Sequence, residues 1–306
     1  MESFSMYTRF LVPLDGSSLA ETALPVVERL ALVSGAQVLV LHVIERDAPT
    51  MVHGERHLTS LAEAHEYLEG VVQRLRAAGV NAIFHAHEVP QGDVAQCIVA
   101  HAEEDQADLI VLCTHGEGRV RHWLFGSIAQ QVLRRGITPV LLTRPPLDGD
   151  TPAFEPQHVL VPLDATEAAE AALAPAAEIA RRLHATLHLV MVVATPSTVR
   201  GERRSATSLL PNTSQVLLEL ERQNALEYLE RLAGSLRRAD LPVTTEVRRG
   251  EIAPALAEEA AEPGVGLVVL ATHGKSGLQA VWAGSIAASL LARTRAPVLL
   301  LRRIDA

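Results

Sequence analysis

Two stretches of this 306-residue chain repeat one pattern, and the repetition restricts the fold more than any other feature. The segments starting at Ile110 and Val268 each run as an apolar β-type stretch, then Thr-His-Gly, then nine residues, then a Gly-Ser that opens a helical pattern. Gly116 is answered at that spacing by Gly126-Ser127, and Gly274 by Gly284-Ser285. The duplication reaches further back. Phe10-Leu-Val-Pro-Leu-Asp15 returns as Val159-Leu-Val-Pro-Leu-Asp164, and Leu41-His42-Val43 as Val190-Met191-Val192, both 149 residues later. From Gly92, which returns as Gly250, the offset is 158. The second copy has therefore gained nine residues, most simply around its second helix, where Arg200-Gly-Glu-Arg-Arg-Ser is polar as a surface insertion should be. A period of this length is a duplicated domain, not a solenoid repeat.

Each copy alternates strand and helix signals. In the first, strands are expected at Phe10–Leu14, Gln37–Ile44, Ala82–Glu88, Leu109–Cys113 and Val140–Thr143. Helices are expected at Ser18–Val33, from about Glu55 to Ala78, at Val94–Glu104 and at Ser127–Arg135. The second copy repeats the order, with helices at Glu167–Leu183, Ser214–Arg238, Ile252–Ala261 and Ser285–Arg293. Near-continuous Val/Leu/Ile runs mark parallel strands covered on both faces, and strict alternation makes each copy a doubly wound α/β sheet. Arg144-Pro-Pro-Leu-Asp-Gly-Asp-Thr-Pro152 reads as the connector. The expected domains are 1–146 and 156–306, with 147–155 between them.

Composition removes several functions. Aromatic residues are 3% and the formal net charge is −9, against a nucleic-acid surface. Apolar runs are too short to span a bilayer, and Met1 to Arg9 lacks the pattern of a signal peptide. Cys97 and Cys113 make no disulfide framework, and together these features suggest a cytoplasmic protein.

In doubly wound sheets ligands bind at the carboxyl ends of the strands, where strand order reverses. Asp15 and Asp164 fall there after strand one, and Thr114-His115-Gly116 and Thr272-His273-Gly274 after strand four. Glycines followed by a serine at a helix start suit a phosphate held by backbone N–H groups. The loop is not a Walker motif, since no Gly-Lys-Ser/Thr follows strand one. Asp15 and Asp164 also read as helix caps, compatible with contacting a ribose. His115 and His273 read as loop-orienting, and Trp123 and Trp282 as loop anchors. His53, His57, His65, His85 and His87 read as solvated or half-buried, with no metal site assigned, and Cys113 as a packed thiol.

Val-Pro-Leu-Asp, Thr-His-Gly, the nine-residue spacer, Gly-Ser and a closing Pro-Val-Leu-Leu at Pro139–Leu142 and Pro297–Leu300 together resemble the universal stress protein family. The resemblance covers nearly the whole chain as two tandem domains. It implies five-stranded parallel sheets in the order 3-2-1-4-5, their fifth strands paired about a pseudo-twofold axis. It also implies ATP, with or without Mg²⁺. Adenine and ribose contacts fall to Pro13, Asp15 and Val43, and phosphate contacts to Gly116, Gly126 and Ser127. The second set is Pro162, Asp164, Val192, Gly274, Gly284 and Ser285, with Lys275 beside the phosphates where the first copy has Glu117. The family's motif often has a glycine where this chain has Cys113 and Ala271, and a Cβ there crowds the approach of a phosphate. The expected protein is a nucleotide-binding regulatory module in a stress response, with a protein partner of unstated identity and a homodimer as its expected assembly. The alternatives are a slow ATPase using the same pockets and a nucleotide-free interaction module.

Overall fold

The computed structural model describes residues 7–46, 51–52, 55–56, 58–90, 93–114, 127–145, 153–196, 198, 211–272 and 286–302. The chain divides into two compact units: Met1–Glu155 with Pro297–Arg302, and Pro156–Ala296 with Arg303–Ala306.

In the first unit, β1 (Arg9–Pro13), β2 (Gln37–Glu45), the two short strands β3 (Met51–Val52) and β4 (Glu55–Arg56), β5 (Asn81–Val89), β6 (Leu109–Cys113) and β7 (Val140–Thr143) follow in chain order. Among the described residues β3 and β4 form a separate two-stranded antiparallel sheet. The other five form a parallel sheet in the order β5-β2-β1-β6-β7, which is the expected 3-2-1-4-5. Burial follows position in that order. Val38 to Ile44 of β2 is buried without a break, whereas β5, at the end of the order, exposes most of its side chains. At the amino end, the Asp108 carboxylate accepts from the backbone N–H groups of Thr8 (2.6 Å) and Arg9 (3.0 Å), fastening β1 to the start of β6.

The helices are α1 (Ser18–Glu21), α2 (Leu24–Ser34), α3 (Leu61–Ala77), α4 (Val94–Glu104) and α5 (Ser127–Arg135). Two expectations need correction. The single helix read over Ser18–Val33 is broken, because Pro25 enters the first turn of α2 and cannot continue an earlier helix's hydrogen bonds. The helix read from Glu55 starts at Leu61. Ser60 caps it by accepting from the Glu63 N–H at 3.3 Å, and Glu63 reaches back to the Thr59 N–H at 3.1 Å.

The second unit contains β8 (His158–Leu163), α6 (Glu167–Glu170), α7 (Leu173–Leu183), β9 (Thr186–Val193), α8 (Pro211–Arg237), β10 (Val243–Arg249), α9 (Ile252–Glu259), β11 (Val265–Thr272) and α10 (Ile286–Arg293). Its strands run parallel in the order β10-β9-β8-β11. The helix read over Glu167–Leu183 is again two, α6 and α7, with Pro175 in the first turn of α7. Part of the inserted sequence becomes helix: α8 has 27 residues where α3 has 17. β11 carries a register shift between Val265 and Leu267, and a Cβ on the intervening Gly266 would lie 2.5 Å from the Pro156 Cβ.

The last strand, β12 (Val298–Arg302), belongs to the first unit, where it runs antiparallel to β7. Its register is Val298 opposite Leu142, Leu299 opposite Leu141 and Leu300 opposite Val140. Leu141 and Leu299 are equivalent residues of the two copies, so the ladder is centred on one matched pair. Both are buried, so the apolar edge that β7 presents is covered. Arg302 adds a hydrogen bond from Nη1 to the Gly136 carbonyl.

Candidate functional site

In doubly wound sheets the ligand crevice lies outside the carboxyl ends of the strands, where strand order reverses. β1 ends at Pro13, opposite Leu41, while β2 continues through Glu45 beside β5. On the other flank β6 ends at Cys113. Pro13 is half-buried at this step, and Val43, two residues past the last β1 partner, is buried. His42 is fully buried and bonds from Nδ1 to the Leu14 carbonyl at 2.7 Å, which requires the proton on Nδ1 and fixes the chain as it leaves the sheet. In the second unit β8 runs beside β9 to Leu163, opposite Met191, and β9 continues to Val193 beside β10. Pro162 and Val192 are half-buried there.

The two acidic residues are held identically. Asp15 Oδ1 accepts from the Ser17 N–H (2.9 Å) and hydroxyl (2.6 Å), and Ser17 Oγ caps α1 through the Ala20 N–H (3.2 Å). Asp164 Oδ1 accepts from the Thr166 N–H (3.0 Å) and hydroxyl (2.6 Å), and Thr166 Oγ1 caps α6 through the Ala169 N–H (3.2 Å). The capping reading needs correction: the N-caps are Ser17 and Thr166, and each aspartate holds its cap residue in place through Oδ1 two residues earlier. The residue between is left-handed in both: Gly16 at φ 89° and Ala165 at φ 63°. Only the first copy needs glycine for space, since a Cβ on Gly16 would lie 2.9 Å from Leu58 side-chain carbons.

The end of β6 is fixed by threonine. Buried Thr114 donates its backbone N–H (2.8 Å) and its hydroxyl (3.0 Å) to the Thr143 carbonyl, setting where the chain leaves the sheet. Cys113, half-buried, lies with Sγ 3.3 Å from the Thr22 hydroxyl. Ser127 is exposed as the first residue of α5, so the β6–α5 crossover sets that helix's N-terminus at the carboxyl side of the parallel sheet. Gly116, Gly126, Gly274, Lys275, Gly284 and Ser285 lie outside the described residues, as do Glu117, His53, His57, His115, His273, Trp123 and Trp282.

Other residues near the crevices were not singled out by sequence. Tyr228 of α8 donates to the Glu170 carboxylate at 2.9 Å, and burial together with that carboxylate raises its phenol above the ordinary tyrosine range. Tyr67 of α3 is raised by burial and by Glu21, the equivalent of Glu170. The tyrosines are 161 residues apart and the glutamates 149, so no constant offset reveals the pairing. Away from the crevice, His65 packs edge-on against Phe84. His85 and His87 have exposed side chains whose rings also approach buried His101 edge-on. The sequence signal for that group is Cys97 and His101 one helical turn apart, a spacing absent from the second copy, where Ala255 and Glu259 stand.

The fold and its strand-end crevices define a tandem pair of doubly wound α/β units whose candidate sites lie at the switch of strand order. The Universal stress protein family model matches residues 6–144 and again 155–302, and the chain belongs to that family. A universal stress protein of Mycobacterium tuberculosis is 30% identical over 202 residues, 65% of this chain and 63% of its own length. The chain thus spans under two thirds of that relative. A universal stress protein of Methanocaldococcus jannaschii is 26% identical over 159 residues, covering 45% of this chain and 96% of its own. Among solved structures, a universal stress protein from Archaeoglobus fulgidus superposes with a TM-score of 0.66 at 19% identity, covering 98% of this chain and 99% of its own, which is a likeness of fold. No helix among the described residues is long and apolar enough to cross a membrane.

Proposed function

We propose that this protein binds ATP at the two strand-end crevices and acts as a regulatory module in a stress response. The observation that carries the reading is the repeated construction at the end of strand one. A carboxylate is presented on a left-handed turn beside a neighbouring strand that outruns it, once at Asp15 and once at Asp164. Such a step suits a flat base against Pro13 and Val43, or Pro162 and Val192, with a ribose hydroxyl donating to the carboxylate. The phosphates then fall to the backbone N–H groups of Gly116, Gly126 and Ser127, and of Gly274, Gly284 and Ser285, with Lys275 adding a cation. Within this reading each domain, 1–146 and 156–306, carries one site, and the regulatory output is contact with a protein partner or a second copy.

Native mass spectrometry of the full-length protein, purified without added nucleotide, tests the reading. Bound adenine nucleotide that is displaced by excess ATP supports it. A protein that arrives empty and stays empty in millimolar ATP refutes it. Steady-state phosphate release, compared with a Gly284→Val control, separates a binding module from a slow ATPase.

A further inference from the structure

The first unit contains a second polar group, on the side chains that join β5 to α4. His85 and His87 alternate along β5 and so share one face of the strand, and Cys97 and His101 lie one turn apart on α4 and so share one face of the helix. Ligand atoms of His87, Cys97 and His101 all lie within 4.8 Å of one another, with Cys97 and His101 buried. The His87 and His101 rings are 5.2 Å apart between centroids, nearly perpendicular, and the His85 ring is 5.6 Å from that of His101.

We propose that His87, Cys97 and His101 form a transition-metal site, with zinc as the ion that their donor atoms suit. Two imidazoles and a thiolate match the preference of Zn²⁺ for nitrogen and sulfur in tetrahedral geometry, and His85 or a water completes the set. Ligand atoms on such an ion stand about 3.3–3.6 Å apart, from the usual Zn–N and Zn–S lengths. Closing from 4.8 Å takes a side-chain rotation, which exposed His87 on a strand at the end of the unit's sheet order can make. The supporting shell is in place. His101 Nδ1 lies 3.0 Å from the Cys97 carbonyl oxygen and 3.5 Å from Cys97 Sγ, so the helix backbone holds the ring with one nitrogen facing the thiol. The exposed edge gives an ion its route in.

The second copy shows what this place in the fold otherwise requires. Cys97 and His101 correspond to Ala255 and Glu259 on α9. Buried Glu259 is neutralised by its own neighbours, accepting from His188 Nε2 at 2.8 Å and from Arg248 Nε. One copy fills the position with a closed ion pair, the other with neutral donors. Coordination of the Cys97 sulfur releases its thiol proton to solvent. The proposal does not depend on nucleotide binding.

Cobalt, a coloured stand-in for zinc, tests it on the chelator-treated, reduced full-length protein. Titration with Co²⁺ should give a thiolate-to-metal charge-transfer band that saturates at one ion per chain and disappears when Zn²⁺ is added. The Cys97→Ser variant should lose the band and Cys113→Ser should keep it. His87→Ala should weaken cobalt binding by more than about tenfold while the metal-free protein melts as wild type, since that side chain is exposed. No saturable band in folded wild-type protein, or a band that survives Cys97→Ser, overturns the proposal.

Discussion

Replacing the strand-one carboxylates separates their structural role from their proposed binding role. In Asp15→Ala the Ser17 N–H and hydroxyl lose the acceptor they reach at 2.9 and 2.6 Å, and the hydroxyl, on a side chain buried with α1, is left without it. Two bonds to a charged acceptor, partly solvated, are worth about 2–3 kcal/mol together. That lowers the melting midpoint of the first unit by roughly 4–12 °C, at about 2–4 °C per kcal/mol for a domain of this size. Asp164 is exposed, so Asp164→Ala should cost about 1 kcal/mol. Asparagine keeps Oδ1 as an acceptor but loses the charge, so Asp15→Asn and Asp164→Asn should lie within about 0.5–1 kcal/mol of wild type. ATP affinity should behave differently. A ribose hydroxyl bonded to an amide oxygen instead of a carboxylate loses about 1–1.4 kcal/mol, a five- to tenfold weaker Kd at the altered site. Thermal denaturation and calorimetric ATP titration of the same four variants decide the matter. An Asp15→Asn variant as unstable as Asp15→Ala would refute the capping argument, and unchanged ATP affinity would refute the ribose contact.

Three further outcomes are expected. Gly16→Ala should destabilise the first unit by about 1–3 kcal/mol, because its Cβ meets Leu58 at 2.9 Å in a left-handed turn, whereas Ala165→Gly should be neutral or stabilising by up to about 1 kcal/mol; chemical denaturation measures both. Glu259→Ala should cost about 2–4 kcal/mol by stranding His188 and Arg248, and Glu259→Gln less than half of that, since the amide oxygen still accepts; equal losses would show that packing, not the ion pair, matters there. With Gly126→Val or Gly284→Val each leaving one site, the site with Lys275 should bind ATP about tenfold or more tightly than the site with Glu117, and Glu117→Lys should close the gap. Tighter binding at the first site would contradict the charge argument. Halves cut at residue 150 are unsuited to that comparison, because β7 would lose β12.

Strand content was legible because buried parallel strands are rich in Val, Leu and Ile, as at Val38 to Ile44 where only His42 interrupts the run, and because the main strands recur in the second copy; the strand order came with the family resemblance. The pairing at Leu141 and Leu299 came with the same resemblance. Helix boundaries were less so. Apolar periodicity continues across Pro25, and only the missing N–H and the first-turn geometry break it. The start at Leu61 depends on Ser60 and Glu63 outcompeting Glu55. The group formed by His87, Cys97 and His101 depends on how β5 faces α4, a pairing that no local pattern contains. The tyrosine–glutamate pairing is concealed by the insertion that lengthens α8.

Calorimetric titration of the full-length protein with ATP, beside the Gly126→Val/Gly284→Val double variant, tests the central claim most directly. The wild type should give a saturable heat corresponding to two sites. The double variant should give none while keeping the wild-type circular dichroism and melting curve. A wild type that takes up no ATP, or a folded double variant with the same isotherm as the wild type, would contradict the assignment of these crevices and glycine loops to nucleotide.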